Sequence, residues 1–341
     1  MSRADAHRNF LIDHGWGEAD VTSLASDASF RQYHRLLDGE RQALLMDAPP
    51  DKENIHAYVT IARHLKALGL SAPDILALDE AAGLAVIEDF GEDTYTRLLD
   101  GGADPVALYE LAVDVLIALH GRDDATQIEV PAYDQDRLLD EVVRLVDWYL
   151  PAMRGEPTPD AVRKSYLDTW RVVFEGAPDD PTTLVLLDYH VDNLMLLEGR
   201  SGLARAGVLD FQDAMIGHPA YDLVSLLEDA RRDVPDDLIQ AMQNRYRAAL
   251  PSQANTTLGS WYAILSVQRN ARLAGQFVRL CVRDGKPAYL QYIPRVMGLL
   301  ERGLDAPELA PVKAWFDTHL RHVTQPLPPF DPAAVRRLIS V

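Results

Sequence analysis

Two acids and one amide are spaced in this sequence so that they could handle phosphate groups. Asp188 and Asn193 are separated by four residues in a polar stretch, and Asp210 follows the next apolar run. One carboxylate can orient or deprotonate an attacking hydroxyl, while an amide oxygen and a second carboxylate can hold Mg²⁺ against the phosphates of a nucleotide. Positioning of the reacting groups and neutralisation of their charge then account for the rate acceleration. The spacing therefore favours a magnesium–phosphate site and indicates no particular acceptor.

Apolar runs on both sides of the polar stretch predict the strands that must hold it. Residues 184–187 and 194–197 flank the stretch, and residues 206–209 lead directly to Asp210. Functional groups usually sit on loops that a rigid scaffold positions, and polar residues bunched between buried strands fit that rule. We expect the three side chains to lie on one side of a small sheet.

The remaining elements form two regions of different character. Before residue 90 the patterns predict short strands and helices, at residues 4–14, 21–26, 30–37, 42–47, 54–68, 75–78 and 84–88. After Gly91 they predict long amphipathic helices, at residues 105–119, 134–149, 159–175, 235–249, 257–282 and 288–303, with one β region at 184–211. The sequence thus predicts an α+β protein with a sheet-rich nucleotide-binding lobe, residues 1–90, and a mainly helical catalytic and substrate-binding lobe, residues 91–341.

Composition argues against several classes of partner. The 341 residues carry a formal net charge of −19, which disfavours nucleic acids and anionic membranes. A surface this acidic usually serves solubility, although a cationic substrate is an alternative. Residues 1–10 lack the apolar segment of a signal peptide, and the apolar runs are too short to span a bilayer. With Cys281 as the single cysteine, we predict a reduced, cytoplasmic protein with no obligate protein partner.

The spacing of the polar groups resembles the motifs of the aminoglycoside phosphotransferase and choline kinase superfamily, distant relatives of the protein kinases. The resemblance is carried by Asp188-x-x-x-x-Asn193, by Leu209-Asp210-Phe211 and by the run at residues 217–223, and it extends over nearly the whole chain. It implies a protein-kinase-like two-lobe fold, with ATP and Mg²⁺ as cofactors. It also implies that Asp188 is the catalytic base and that Asn193 and Asp210 bind the metal. The family's usual His-Gly-Asp is Leu186-Leu187-Asp188 here.

Three further stretches resemble one branch of that superfamily, the anomeric kinases of N-acetylmuramate and N-acetylglucosamine. They are residues 26–33, residues 46–50 and residues 188–193. This resemblance implies phosphorylation of a small-molecule sugar at its C1 hydroxyl, within peptidoglycan recycling. A kinase of another acceptor, such as an aminoglycoside or choline, and a nucleotide-binding pseudokinase that regulates a partner remain the alternatives.

Further site residues follow from the same resemblance. The nucleotide would contact a phosphate turn and an adenine hinge, formed by Ser26, Ser29 and Arg31 and by Glu88, Asp89 and Phe90. The substrate would contact His190 and Asp192, unless these only hydrogen-bond within their loop or face solvent. Arg269 and Arg272 lie three residues apart on one helix, and one of them would pair with the lactyl carboxylate of N-acetylmuramate; the alternative is a solvated helix face.

One expected cation is missing from the sequence. Kinase-like folds carry a phosphate-holding lysine on the third strand, but Met46 stands at that position. Lys52 and Arg31 are the two candidates to replace it, and the sequence does not choose between them. A lost cation would also fit the pseudokinase alternative.

Overall fold

The computed structural model describes residues 2–24, 30–179, 182–249 and 252–339. The strands are β1 Asp20–Ser23, β2 Gln32–Asp38, β3 Arg41–Asp47, β4 Ile75–Asp79, β5 Leu84–Ile87, β6 Thr183–Val185, β7 Leu194–Leu196, β8 Ala206–Val208 and β9 Met215–Gly217. The α-helices are α1 Arg3–Asp13, α2 Ile55–Ala67, α3 Tyr95–Asp100, α4 Pro105–His120, α5 Gln135–Val142, α6 Leu150–Arg154, α7 Asp160–Glu175, α8 Ala220–Leu227, α9 Asp236–Ala249, α10 Ser252–Asp284, α11 Ile293–Gly303, α12 Ala310–His319 and α13 Pro332–Leu338. The predicted α+β class is confirmed.

The chain forms two compact units. Unit 1 comprises residues 1–129 and 186–214, and unit 2 comprises residues 130–185 and 215–341. Each unit therefore contains two separate segments of the chain. The predicted division into lobes at residue 90 stays a prediction.

Unit 1 contains an antiparallel sheet in the order β1-β2-β3-β5-β4. Its strands match the predicted ones to within a few residues, and Gly39 lies in the hairpin turn between β2 and β3 with a φ of 61°. Successive side chains of a strand point to opposite faces of the sheet. Leu45 and Val86 accordingly pack with Phe10 of α1 in one apolar cluster. Their neighbours Leu44 and Ile87 face the other side, where they line a cavity.

The N-terminal helix is fixed to the end of β3 by a buried acid. The carboxylate of Asp47 accepts hydrogen bonds from Arg3 Nε at 2.9 Å and from His7 Nε2 at 2.7 Å. Burial opposes ionisation of this carboxyl, but the two hydrogen bonds lower the pKa of Asp47 below its usual value. Within the Met-Asp-Ala-Pro-Pro stretch at residues 46–50, Asp47 thus has a structural role.

The predicted single β region at residues 184–211 is wrong in one respect. The strands form two separate antiparallel pairs, β7 with β8 in unit 1 and β6 with β9 in unit 2. The partner of β6 is Met215–Gly217, which lies beyond the predicted region and was not expected. Three-residue strands leave little periodicity in the sequence, so their pairing was not predictable from it.

Unit 2 is built around the long helix α10, which packs on α8 and α11. The predicted helix at 134–149 is interrupted: after α5, residues Leu145–Tyr149 form a π-helix that leads into α6. Helices α3, α6, α8, α12 and α13 were not predicted. Cys281 is buried, as expected for a core residue. Within the described ranges, no helix combines the length and apolar character needed to cross a bilayer.

Candidate active site

Unit 1 holds a cavity of about 370 Å³ beside the open face of the sheet. It is lined by apolar, polar and charged side chains from two distant chain segments: Leu24, Arg31, Tyr33, Arg35, Leu44, Tyr58, Pro73, Ile87, Glu88, Asp89, Phe90, Gly91, Thr94, Asn193, Met195, Leu209 and Asp210. Both predicted metal ligands, Asn193 and Asp210, are in this lining. Two of the lining residues, Leu44 and Ile87, supply an apolar floor where β3 pairs with β5.

The loop that carries Asp188 is held by its own hydrogen bonds. The backbone N–H of Asp188 donates to the Leu186 carbonyl at 2.8 Å, and the Asn193 amide donates to the Asp188 carbonyl at 2.9 Å. The Asn193 backbone N–H donates to the His190 carbonyl at 2.9 Å. Because the Asn193 nitrogen is engaged with the loop, its oxygen is the atom left to face a cation. The structure therefore ties the predicted base to one predicted metal ligand.

Leu187, directly before Asp188, has a left-handed backbone with a φ of 65°. A residue with a Cβ pays roughly 1–2 kcal/mol in this conformation, whereas glycine adopts it freely. The position corresponds to the glycine of the His-Gly-Asp motif, so the structure explains why that motif uses glycine. Here the leucine side chain is buried at 6% exposure, and its packing offsets the strain.

We therefore expect the two small substitutions of Leu187 to rank in an unusual order. Glycine normally destabilises relative to alanine, but at this φ Leu187→Gly should be more stable than Leu187→Ala by about 1 kcal/mol. Both should be less stable than the parent because each removes the buried side chain. Thermal unfolding of the three proteins measures the order.

Leu186 provides the matched control, since it is also buried and is not a positive-φ residue. There the usual order should return, with Leu186→Ala more stable than Leu186→Gly. If alanine is the better substitute at both positions, the strain at Leu187 is not as described.

Asp210 shares the left-handed conformation, with a φ of 55°. Its Oδ1 accepts hydrogen bonds from Arg31 Nη2 at 2.8 Å and from Gln212 Nε2 at 2.9 Å. Aspartate tolerates this backbone better than most residues, and outliers of this kind cluster at functional sites. The conformation directs the carboxylate of Asp210 into the cavity lining, with 41% of its side chain exposed.

Arg31 lies one residue before β2 and is only 8% exposed. Besides Asp210, its guanidinium faces Glu53 at 3.8 Å, just before α2. Burial by itself would lower the pKa of Arg31, but the surrounding acidic groups, Asp210 and Glu53 among them, raise it. The arginine is therefore a fixed, buried cation inside the cavity.

The two candidates for the missing lysine occupy different places. Met46 is fully buried, so the usual strand position supplies no charge. Lys52 is exposed, and its ammonium lies 5.0 Å from the centre of the Phe30 ring rather than in the cavity lining. Arg31 is in the lining. Ser26 and Ser29, the other predicted phosphate contacts, lie outside the described residues.

The predicted hinge residues line the cavity, but their side chains are held by protein partners. Glu88 pairs with Arg200, and its backbone N–H donates to the Asp74 carbonyl at 2.8 Å. Asp89 accepts from Arg35 Nε and from Gln42 Nε2, both at 2.7 Å.

Phe90 packs against the strand that leads to Asp210. A Cβ at position 207 would lie 2.7 Å from the Phe90 ring, which explains the glycine of β8 there. Contacts of these side chains thus shape the hinge, and its contact with a nucleotide base stays a prediction.

His190 and Asp192 also have partners within unit 1. His190 is 5% exposed, and its Nε2 lies 3.3 Å from the Asn193 amide nitrogen. Asp192 accepts a hydrogen bond from the Thr96 hydroxyl at the start of α3. The contact of His190 favours its alternative of hydrogen-bonding within the loop, and Asp192 is held by Thr96 rather than only solvated. Contact of either residue with substrate stays a prediction.

In unit 2, Arg269 and Arg272 differ in their surroundings. Arg269 is 4% exposed and donates to the Glu228 carbonyl at 3.2 Å and to the Ser225 hydroxyl at 3.0 Å. Arg272 is half-buried and pairs with Glu141, Nε to Oε2 at 2.9 Å. A buried guanidinium fixed on α8 is a poor anchor for a ligand, so of the two predicted residues Arg272 is the better placed.

Sequence reasoning missed several residues of the cavity. Tyr33 and Arg35 were not predicted. With the predicted Arg31 they follow a period of two into β2 and line the cavity, so strand alternation at residues 30–37 could have found them. Asp213 lies three residues after Asp210. Desolvation and then the negative charge of Asp188 raise the pKa of Asp213, which indicates that the two carboxylates act on each other.

A fold, a catalytic-loop geometry and a cavity of this kind define a class of enzyme. The chain belongs to the phosphotransferase enzyme family, whose APH model matches residues 20–255. An N-acetylmuramate/N-acetylglucosamine kinase of Caulobacter vibrioides is 37% identical over 93% of this chain and 97% of its own. The kinase of the same name from Pseudomonas aeruginosa is 36% identical over 88% and 89%.

Solved structures with low sequence identity share the fold. A choline/ethanolamine kinase family protein from Mesorhizobium loti superposes with a TM-score of 0.60 at 14% identity, covering 93% of this chain and all of that one. An ADP-bound aminoglycoside phosphotransferase gives a TM-score of 0.58 at 15% identity, covering 87% and 97%. The predicted protein-kinase-like fold and the predicted superfamily are confirmed.

Proposed function

We propose that this chain transfers the γ-phosphoryl group of ATP to the C1 hydroxyl of N-acetylmuramate and N-acetylglucosamine. The observation that carries the proposal is the alignment with kinases named for both sugars, which extends over most of this chain. Phosphorylation at C1 follows from the resemblance at residues 26–33, 46–50 and 188–193. The reaction fits the recycling of peptidoglycan sugars in the cytoplasm, where ATP is available.

The donors of the cavity fit Mg²⁺ bound together with nucleotide phosphates. Asn193 and Asp210 offer amide and carboxylate oxygens from the same lining. No cluster of three or more His, Cys, Asp and Glu side chains suited to a metal occurs in the described part of the chain. Mg²⁺ in such sites is bound by one or two protein ligands and takes its remaining ligands from phosphates and water. When bound, the ion would neutralise charge on the transferred group.

The residues of unit 1 would then have separate roles in phosphoryl transfer. The Asp188 carboxylate would accept the proton of the sugar hydroxyl as it attacks, and the hydrogen bonds of its loop hold it in position. The apolar floor of Leu44 and Ile87 would receive the adenine ring, and the hinge backbone from Glu88 to Gly91 would hydrogen-bond it.

Arg31 would replace the phosphate-holding lysine. Its guanidinium is buried in the cavity lining and lies beside Glu53, much as a strand lysine pairs with a helix glutamate in kinase-like folds. Its fork of N–H donors suits phosphate oxygens. The same guanidinium holds Asp210, so phosphates would share or take over a cation that is already in place.

A panel of acceptors tests the proposed function. Purified protein with ATP and Mg²⁺ should release ADP only when an acceptor is present, and N-acetylmuramate and N-acetylglucosamine should be the best acceptors. Phosphorus NMR of the product should show a phosphate bonded at C1. Blocking that hydroxyl as the methyl glycoside should remove turnover.

Two results would contradict the proposal. Turnover with choline or an aminoglycoside but not with either sugar would move the enzyme to another acceptor class. Nucleotide binding without turnover on any acceptor would favour the pseudokinase alternative that Met46 suggests.

A further inference from the structure

One arginine of unit 1 joins the predicted hinge to the strands that carry both predicted metal ligands. Arg200 lies in the connection between β7 and β8, and it is not among the described residues that line the cavity. Its guanidinium pairs with the Glu88 carboxylate and lies 5.2 Å from the centre of the Phe90 ring. A charged pair and a cation–π contact from the same side chain therefore act on the hinge.

The guanidinium of Arg200 is also fixed to β8. Its Nη1 donates to the Ser71 hydroxyl at 2.8 Å, and that hydroxyl donates to the Ala204 carbonyl at 2.8 Å. The Ser71 carbonyl accepts from the Val208 backbone N–H, again at 2.8 Å. Ser71 is only 4% exposed, so little water competes for these hydrogen bonds. Arg200 is therefore held in place relative to β8.

The β7–β8 pair leads directly to the metal ligands. Asn193 precedes β7 by one residue, and Asp210 follows β8 by two. The Leu209 backbone N–H donates to the Asn193 carbonyl at 2.9 Å, which continues the pairing up to the ligands. Beyond the hinge, the Leu196 backbone N–H donates to the Asp93 carbonyl at 2.9 Å. The chain is thus joined to the β7–β8 pair on both sides of the hinge, by a backbone contact at one end and by Arg200 at the other.

The contacts of Arg200 specify a position more than they stabilise the fold. The Arg200 and Glu88 side chains are 30% and 28% exposed, and ion pairs open to solvent contribute little to stability. Glu88 is nevertheless oriented from a second direction, because its Oε2 accepts from the Asp74 backbone N–H at 3.3 Å. A carboxylate held from two directions fixes where the hinge lies, which matters for a ligand that extends from the hinge to the metal.

We propose that Arg200 is a positioning residue that sets the separation between the hinge and the metal ligands, so that one ATP molecule engages both. The inference rests on the proposed function, since it takes the cavity as the ATP site. The adenine and the metal-bound triphosphate of ATP are joined by a ribose of limited reach. Once one end is bound, the other end binds as an intramolecular event, and this gain is lost when the geometry prevents both from binding at once.

The test compares ATP with its two parts in Arg200→Met and the parent protein, by calorimetric titration. Adenosine engages only the hinge end, and tripolyphosphate with Mg²⁺ engages only the metal end. The affinity for ATP with Mg²⁺ should fall about tenfold, because the two ends of the nucleotide are no longer in register. The affinity for adenosine and for tripolyphosphate should each change less than about twofold, since each part needs only its own end of the cavity.

Arg41→Met is the matched control. Arg41 makes the same three kinds of contact in unit 1: it pairs with Asp38 at 3.1 Å, donates to the Gly15 carbonyl at 3.2 Å and lies 4.1 Å from the centre of the Trp16 ring. These contacts involve neither the hinge nor β8, so all three affinities should equal those of the parent. An equal loss for ATP and adenosine would reduce Arg200 to a local support of the hinge and overturn the inference, as would an unchanged affinity for ATP.

A double variant shows whether Arg200 acts through Glu88. Substitutions of side chains in contact give non-additive effects, so Arg200→Met with Glu88→Gln should lose less affinity for ATP than the product of the two single losses. Fully additive losses would overturn the route through Glu88. Arg200→Lys keeps the charge without the planar fork that reaches both Glu88 and Ser71, and it should recover part of the affinity. Thermal unfolding identifies any variant that fails to fold, and Arg200→Lys then serves for the same comparison.

Failure of the proposed function gives a different result from failure of the inference. A parent protein that binds ATP but turns over neither sugar would contradict the proposed function, while the three affinities would still decide the role of Arg200. A parent protein that does not bind ATP with Mg²⁺ would overturn the inference. Where turnover occurs, Arg200→Met should raise KM for ATP about tenfold and change kcat and KM for the sugar less than about twofold, the pattern of a loss in nucleotide binding alone.

Discussion

Replacement of Asp188 by asparagine is expected to lower kcat by roughly two to four orders of magnitude, the range that a positioned general base contributes. The substitution keeps the size of the side chain and removes its capacity to accept a proton. The backbone hydrogen bonds of the loop do not depend on the carboxylate, so the Asn193 contact to the Asp188 carbonyl should survive. Single-turnover measurements with saturating ATP and sugar would isolate the chemical step.

The affinity for ATP separates this outcome from simple unfolding. Asp188 does not line the nucleotide cavity, so Asp188→Asn should bind ATP within a few-fold of the parent protein. Asp168→Asn, at an acid on α7 whose side chain is 44% exposed, is the matched control for loss of a carboxylate and should turn over normally. Turnover by Asp188→Asn close to that of the parent would refute the assignment of the base.

Replacement of Arg31 by methionine should be the second most damaging change. Removing one preorganised charge donor from an active site typically costs about 10²–10³ in kcat, and we expect a loss of that size here. Methionine roughly preserves the length of the side chain, so the loss reports the charge. Arg31→Lys should recover part of the activity, because it restores a positive charge without the planar fork.

Lys52→Met is the informative comparison, since Lys52 is the other candidate for the missing cation. Its ammonium lies near Phe30 and outside the cavity, so we expect only a small effect. Arg41→Met, at an exposed arginine on β3 that pairs with Asp38, controls for loss of a surface charge. A large loss with Lys52→Met and a small one with Arg31→Met would reverse the assignment.

The sequence predicted the parts of the fold that depend on local pattern. The helix at residues 54–68 and the strand at 42–47 have clear periodicities, and the structure has them at nearly the same bounds. The π-helix after α5 was not predictable, because the spacing of apolar residues across it is the same as in one uninterrupted α-helix. The close approach of Gly275 to Arg144 is a contact between distant positions, and nothing local marks it.

The candidate site likewise has residues that the sequence predicted and features that only the structure shows. Asn193 and Asp210 were found from spacing and resemblance, and the structure brings both to one cavity. The choice between Arg31 and Lys52 depended on which side chain reaches Asp210, a residue 179 positions from Arg31. The left-handed backbone of Leu187 was equally hidden, because leucine gives no signal for that conformation.

The arginine in the cavity has a consequence for chemical labelling. Reagents that carry an acyl phosphate on a nucleotide mark ATP sites by transferring the acyl group to a nearby lysine amine. Among the described residues that line this cavity there are two arginines and no lysine, and a guanidinium stays protonated and does not accept an acyl group. A survey of ATP-binding proteins by such labelling would therefore pass over this enzyme even when its site is filled.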